Sequence, residues 1–297
     1  MSSEKYLVRF TNHLLIEKSL SEKTVKAYTD DVKQFFVFCQ HNKLVVEEVN
    51  LINIRKYLAL LYSNGLARNS ISRKMTALRI FYKFMHLYGF IENSPVLRLT
   101  LPKSEKRLPN FLYGEEVNAI LDTAELQTPL DLRDKSILEV LYSSGIRVGE
   151  LVALDIDDIN WQECSIKVFG KRNKERIVPM SAVSLHYLRI YCYEARQKIS
   201  SKITDRNALF LNKNGGRLTD RSVRNIVKKY FSLASINKKA SPHTFRHSYA
   251  THMLDNGADL RSVQELLGHA QLSTTQIYTH FTKSKIKQIY DKSHPRA

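Results

Sequence analysis

Residues 241–252 read SPHTFRHSYATH, with His243, Arg246, His247 and His252 inside ten positions. On a helix, residues three and four apart share a face, so His243, Arg246 and His247 become neighbours. Two histidines at that spacing suit a metal; a histidine beside an arginine suits an anion. A structural zinc site wants four Cys or His ligands and a catalytic one three. The three cysteines, Cys39, Cys164 and Cys192, lie far apart with no CxxC, and none is near this segment. Arg246 would also set a fixed positive charge between two metal ligands. Phosphate explains the segment better. Arginine offers a planar fork that matches phosphate oxygens, and His243, following Pro242, falls in the first turn of a helix, where anions are favoured. No metal and no cofactor is expected.

The whole chain leans the same way. Its 297 residues carry 46 Lys and Arg against 29 Asp and Glu, a formal net charge of +17. A protein this basic is expected to meet a polyanion. Both halves share the excess: residues 1–104 hold 16 Lys/Arg against 8 Asp/Glu, and the remainder 30 against 21. The apolar fraction of 43% is enough for a full core and argues against a disordered basic tail. An odd, scattered set of cysteines fits a reducing compartment. No run of 18 apolar residues is present to span a membrane, and the polar start MSSEKYLVRFTNHLL does not read as a signal peptide. The expectation is a cytoplasmic protein with no membrane partner.

Two domains follow from the patterning. The first hundred residues read as helices only. YLVRFTNHLLIE puts Tyr6, Leu7, Phe10, Leu14 and Leu15 on one stripe. A second helix opens at Ser21 as N-cap and buries Val25, Tyr28, Val32, Phe35, Phe36 and Cys39. A third runs from an Asn50 cap to Gly65, and a fourth from near Ser70 to Gly89. Residues 1–92 are therefore read as a four-helix bundle. Residues 93–110, with Pro95, Pro102 and Pro109 among basic residues, read as an extended linker. Residues 111–297 are mixed. Helices alternate with a hairpin, SIKVF and ERIVPM around a charged turn, and ALFLNKNGGRLTD reads as a short strand and turn.

A reaction at a bound phosphate needs further donors, a nucleophile and a proton donor. YSSGIRVGEL places Arg147 just past a helix that Gly145 ends, where another helix begins. FGKRNKER sets Lys171 and Arg172 at the hairpin tip. LLGHAQLSTTQIYTH supplies His269 and Tyr278. These segments resemble the tyrosine site-specific recombinases, the phage-integrase-like family, and among them the Xer-type chromosome-dimer recombinases. The similarity covers nearly the whole chain. YSSGIRVGELVALDIDDI is similar to the family's first arginine box; the run from SPHTFRH to QIYTH is similar to its second; the closing HPRA is also typical. Arg147, Lys171, His243, Arg246, His269 and Tyr278 match the catalytic set in order across 132 residues. Arg172 stands where many relatives carry glycine, and Phe245 where leucine is common.

The resemblance implies a mainly α, two-domain fold. It pairs an N-terminal SAM-like core-binding bundle with a C-terminal mixed α+β catalytic domain carrying a small hairpin or sheet, the two gripping double-stranded DNA as a C-shaped clamp. It implies a site-specific recombinase that cuts and rejoins DNA through a 3′-phosphotyrosyl intermediate and resolves chromosome dimers for segregation at division. Tyr278 would be the nucleophile, Arg147, Arg246 and His269 would hold the phosphate, Lys171 would protonate the leaving oxygen, and His243 would assist the tyrosine. His247 and His252 are read as packing or hydrogen-bonding neighbours, and Glu150 either orients a basic group or is a surface acid. Arg68, Arg73, Lys74, Arg79 and Arg172 are candidate DNA contacts. The partners implied are a homo- or hetero-tetramer with a sister recombinase on two DNA sites, an FtsK-like septal DNA translocase, and a neighbouring protomer that receives the tail with Ile286, Ile289 and Tyr290. A phage or transposon integrase, a type IB topoisomerase-like enzyme and a non-enzymatic DNA-binding regulator are the alternatives.

Overall fold

The computed structural model describes residues 3–96, 111–170, 175–200, 202–268 and 283–297. The chain divides into two compact units, Met1–Arg107 and Leu108–Ala297. The fold is mainly helical, with one small sheet.

In the first unit, α1 (Ser3–Asn12) runs into a π-type turn (His13–Glu17) and is followed by α2 (Glu22–His41), α3 (Leu51–Ser63) and α4 (Arg68–Leu87). The caps are those the sequence signals. The Ser21 hydroxyl accepts from the Thr24 amide, and Asn50 accepts from Ile52 and Asn53 at the start of α3. The last helix begins at Arg68, ahead of the expected Ser70. The stripes from α1, α2, α3 and α4 meet in an aromatic core. Phe10 sits edge-to-face on Phe81 with ring centroids 5.3 Å apart, and Phe35 edge-to-face on Tyr57 at 5.1 Å. Leu15, expected in the stripe, is exposed. The widened turn His13–Glu17 shifts the helical phase there, and His13 and Leu14 take the inward positions instead.

The second unit is organised around α6 (Pro129–Ser144), buried at every position from Arg133 to Ser144. Burying charged residues requires partners. Arg133 is paired with Asp134 at 2.6 Å and Lys135 with Glu139 at 3.2 Å. Around α6 lie α5 (Gly114–Asp122), α7 (Val148–Ala153), α8 (Ala182–Ile190), α9 (Asp220–Leu233), α10 (Pro242–Asp255) and α11 (Leu260–Leu267). Strands β1 (Ile159–Asn160), β2 (Ser165–Phe169) and β3 (Glu175–Pro179) form an antiparallel sheet in that order. The expected hairpin is β2–β3, with Ile166 opposite Val178 and Val168 opposite Arg176. The strand expected in ALFLNKNGGRLTD forms only isolated bridges, Asp155 with Ala208 and Leu211 with Arg217. Arg196 donates to the Ala208 carbonyl at the start of this stretch, and Arg217, within it, donates to the carbonyls of Ala153 and Leu154. The final helix, α12 (Lys283–Ser293), packs Ile286, Ile289 and Tyr290 on this chain's own Tyr249, Met253 and Leu266.

Candidate active site

Helix α10 opens as its sequence dictates. Ser241 is the N-cap, accepting from the Thr244 amide at 3.2 Å, and Pro242 occupies the first turn. His243 is at the surface, and Arg246, one turn on, is buried to 9% exposure. Arg246 donates from Nη1 to the Gly145 carbonyl and from Nη2 to the Leu267 carbonyl, both at 2.6 Å. Gly145 ends α6 in the left-handed conformation, φ 58°, and a Cβ there would lie 2.6 Å from Tyr249 Cδ1. Only glycine fits both the backbone and the space.

Two residues later Arg147 is the N-cap of α7. Its amide donates to Glu150 Oε2 at 2.8 Å, its Nη1 to Glu150 Oε1 at 2.9 Å, and its Nη2 to the Gly268 carbonyl at 3.2 Å. Glu150 is buried and shared. Arg176 on β3 forks onto it, Nη1 to Oε1 at 2.9 Å and Nη2 to Oε2 at 2.8 Å, while Arg176 Nε donates to the Leu266 carbonyl at 3.2 Å. Three arginines from three elements thus take the successive carbonyls of Leu266, Leu267 and Gly268. Gly268, at φ 65°, closes α11 and immediately precedes His269.

The charges condition one another. Burial pushes the Glu150 carboxyl up, but hydrogen bonds from Arg176 and Arg147 outweigh it and hold it below its ordinary value. Burial, then the nearby Arg147 charge, draws Arg246 down to about 10, still protonated at neutral pH. His243 is lowered from its ordinary value by partial burial and then by the charges of Arg224, Arg246, His247 and Arg147. A neutral imidazole with guanidinium groups near it can take a proton, while those of Arg147 and Arg246 offer further N–H donors to an oxyanion.

Of the six expected catalytic residues, Arg147, His243 and Arg246 are brought to one locality in the second unit. Lys171, His269 and Tyr278, with Arg172 and the linker 97–110, lie outside the described residues. Arg68, Arg73 and Arg79 are exposed on α4, and Arg73 is ion-paired with Asp31. Lys74 departs from the expectation of a surface DNA contact. It is buried, with its ammonium 3.0 Å from Asp31 Oδ1 and 2.5 Å from Gln34 Oε1, because the interior carboxylate requires a counter-charge. His252 is buried against the Tyr142 hydroxyl at 2.8 Å, whereas His247 is exposed. Of the two readings open for Glu150, a surface acid or an orienting group, the structure shows a buried carboxylate shared by Arg147 and Arg176. Arg176 was not singled out from sequence. Its signal is the strand period, which places it on the same face as buried Val178, where an arginine needs a carboxylate. Among the described residues no group of His, Cys, Asp and Glu is arranged to hold a metal ion, and no helix is long and apolar enough to cross a membrane.

Residues 110–285 match the phage integrase family, and residues 7–87 the phage integrase N-terminal SAM-like domain. The chain belongs to the phage integrase family, and its relatives make it a tyrosine recombinase, an enzyme that breaks and rejoins DNA strands. Individual relatives narrow this to the Xer type. The chain is 44% identical over 296 residues to tyrosine recombinase XerC of Oceanobacillus iheyensis, covering 99% of this chain and 97% of that one. It is 41% identical over 295 residues to tyrosine recombinase XerD of Staphylococcus haemolyticus, covering 99% and 100%. Among solved structures, the XerA recombinase is 31% identical with a TM-score of 0.51, covering 99% and 100% of the two chains. The XerH site-specific recombinase bound to its difH substrate is 22% identical with a TM-score of 0.70, covering 97% and 84%, a likeness of fold.

Proposed function

We propose that this enzyme recombines two copies of one DNA site through a 3′-phosphotyrosyl intermediate. Tyr278 attacks a backbone phosphate, releasing a 5′-hydroxyl; the 5′-hydroxyl of another strand then attacks the phosphotyrosine, and the strand is exchanged. One transfer is split into two, and the bond energy stays in the linkage, so the scheme needs no nucleotide cofactor. Arg147, Arg246 and His269 hold the nonbridging oxygens as charge builds on them. Lys171 protonates the leaving 5′ oxygen, and His243, neutral at neutral pH, takes the tyrosine proton. Exchange of two strand pairs calls for four protomers on two sites, identical or shared with a sister recombinase. The similarity to XerC and XerD supports resolution of chromosome dimers at division, with an FtsK-like septal translocase as the activating partner. Arg68, Arg73, Arg79 and Arg172 remain the proposed DNA contacts; Lys74 is left out because it is buried.

The observation that supports this reading most is the pair of guanidiniums from Arg147 and Arg246. They are far apart in sequence, yet both are fixed on carbonyls of the segment that leads into His269. The test is a nicked suicide duplex carrying the sequence this protein selects from fragmented genomic DNA. Wild type is expected to give a covalent adduct on a denaturing gel. Tyr278→Phe is expected to bind the duplex and give none; an adduct persisting in that variant would remove Tyr278 as nucleophile.

A further inference from the structure

The strand-cleaving site needs its cations held still, because oxyanion stabilisation depends on donors already in place. Arg147 is 35% exposed in its side chain, and its described partners are the Glu150 carboxylate and the Gly268 carbonyl. Arg176 holds the first of these partners directly and the helix end that carries the second. Its fork fills both oxygens of Glu150, and its Nε takes the carbonyl of Leu266, two residues before Gly268. Contact with Gly268 is close as well. A Cβ built there would stand 3.1 Å from three atoms of the Arg176 guanidinium, so a side chain at position 268 would press on the fork. Arg176 lies on β3, five residues after Lys171 in sequence. One side chain therefore joins the hairpin strand, the α7 start and the α11 end.

We infer that Arg176 is a positioning residue for strand cleavage, setting Arg147 through Glu150 and setting the α11 end that carries the chain into His269. The inference rests on the reading of Arg147 and Arg246 as phosphate-holding groups. Arg176 itself touches no reacting atom. Lysine cannot replace it, since a single ammonium cannot fill both carboxylate oxygens and reach the Leu266 carbonyl from the same planar group.

The test measures DNA affinity and single-turnover cleavage separately, in the full chain, on the suicide duplex described above. Arg176→Lys is expected to bind within about threefold of wild type and to cleave on the order of thirtyfold more slowly, with an unchanged active fraction. A purely structural role would lower the active fraction and leave the rate constant alone, and that result overturns the inference, as does wild-type cleavage. Arg176→Ala, Glu150→Gln and the double variant complete a cycle. If the two residues act as one unit, the double variant is no slower than the slower single; multiplied losses overturn the coupling. If the alanine variant fails to fold, Arg176→Lys with Glu150→Gln carries the same cycle. Arg147→Ala in the same assay separates two failures. Wild-type cleavage by Arg147→Ala defeats the underlying reading, whereas an inactive Arg147→Ala beside a fully active Arg176→Lys defeats only the inference.

Discussion

His243 and Lys171 divide the proton traffic of the proposed reaction, and each role gives a distinct measurement. His243, at the surface of α10, is partly desolvated and has Arg224, Arg246, His247 and Arg147 near it, all of which disfavour its charged form. Its imidazole is therefore expected to titrate below the ordinary value of about 6.5, followed by proton–nitrogen NMR of the ring. Arg224→Ala, which removes the neighbouring charge that acts most strongly on His243, is expected to move the midpoint upward; an unchanged midpoint would remove Arg224 from the site's electrostatics. Lys171 is tested by the leaving group. If it only binds phosphate, Lys171→Ala weakens affinity and flattens the salt dependence by about one counterion. As general acid, it barely alters binding while cleavage falls by on the order of a hundredfold. A bridging 5′-sulfur leaves without a proton, so Lys171→Ala is expected to cleave that substrate nearly as fast as wild type. Arg147→Ala and Arg246→Ala are expected to stay slow on both substrates. Equal impairment of Lys171→Ala on both would move the acid to Arg172 or Lys174.

The element that organises the site is the junction of α6 and α7, and Gly145 is its constraint. The Gly145 carbonyl takes Arg246, its φ is 58°, and Tyr249 fills the space where a Cβ would go. Gly145→Ala is expected to destabilise the fold by about 3 kcal/mol, from left-handed strain and overpacking together. Gly65→Ala is the control. Its φ is 69°, but nothing lies within 4 Å of the added carbon, so about 1 kcal/mol is expected from strain alone. Chemical denaturation of both variants checks the difference; equal losses would mean that Tyr249 gives way. This junction also shows what the sequence could reveal. Gly145 as a stop and Arg147 at the next start were legible, because helix ends have local signals. The caps Ser21 and Asn50 and the β2–β3 hairpin were legible for the same reason. The burial of Lys74 and the sharing of Glu150 by Arg147 and Arg176 were not, since both depend on partners 43 and 26 residues away. The exposure of Leu15 depends on a helical phase shift at His13–Glu17 that the apolar period does not announce.

At the scale of the molecule, the two units have separate apolar cores, one built on Phe10, Phe35 and Phe81, the other on Ile137, Leu141 and Phe245. Each core is of a size that supports independent folding. Residues 1–96 and 111–297, expressed apart, are therefore expected each to melt cooperatively. Positive charge is also divided between them, with Lys and Arg exceeding Asp and Glu in both halves. If both units grip one duplex, each releases its own counterions, and the logarithmic salt slope of the intact chain is about the sum of the two fragments' slopes. Affinity behaves differently. Joining the units makes the second contact intramolecular, so the intact chain is expected to bind at least a hundredfold more tightly than either fragment. Titrating labelled duplex with the three proteins between about 50 and 200 mM salt yields both quantities. An intact-chain slope equal to that of residues 111–297 alone would mean that the helical unit contributes no phosphate contacts. The exposed arginines of α4, Arg68, Arg73 and Arg79, would then have no part in DNA binding, and specificity would rest with the unit that holds Arg147 and Arg246.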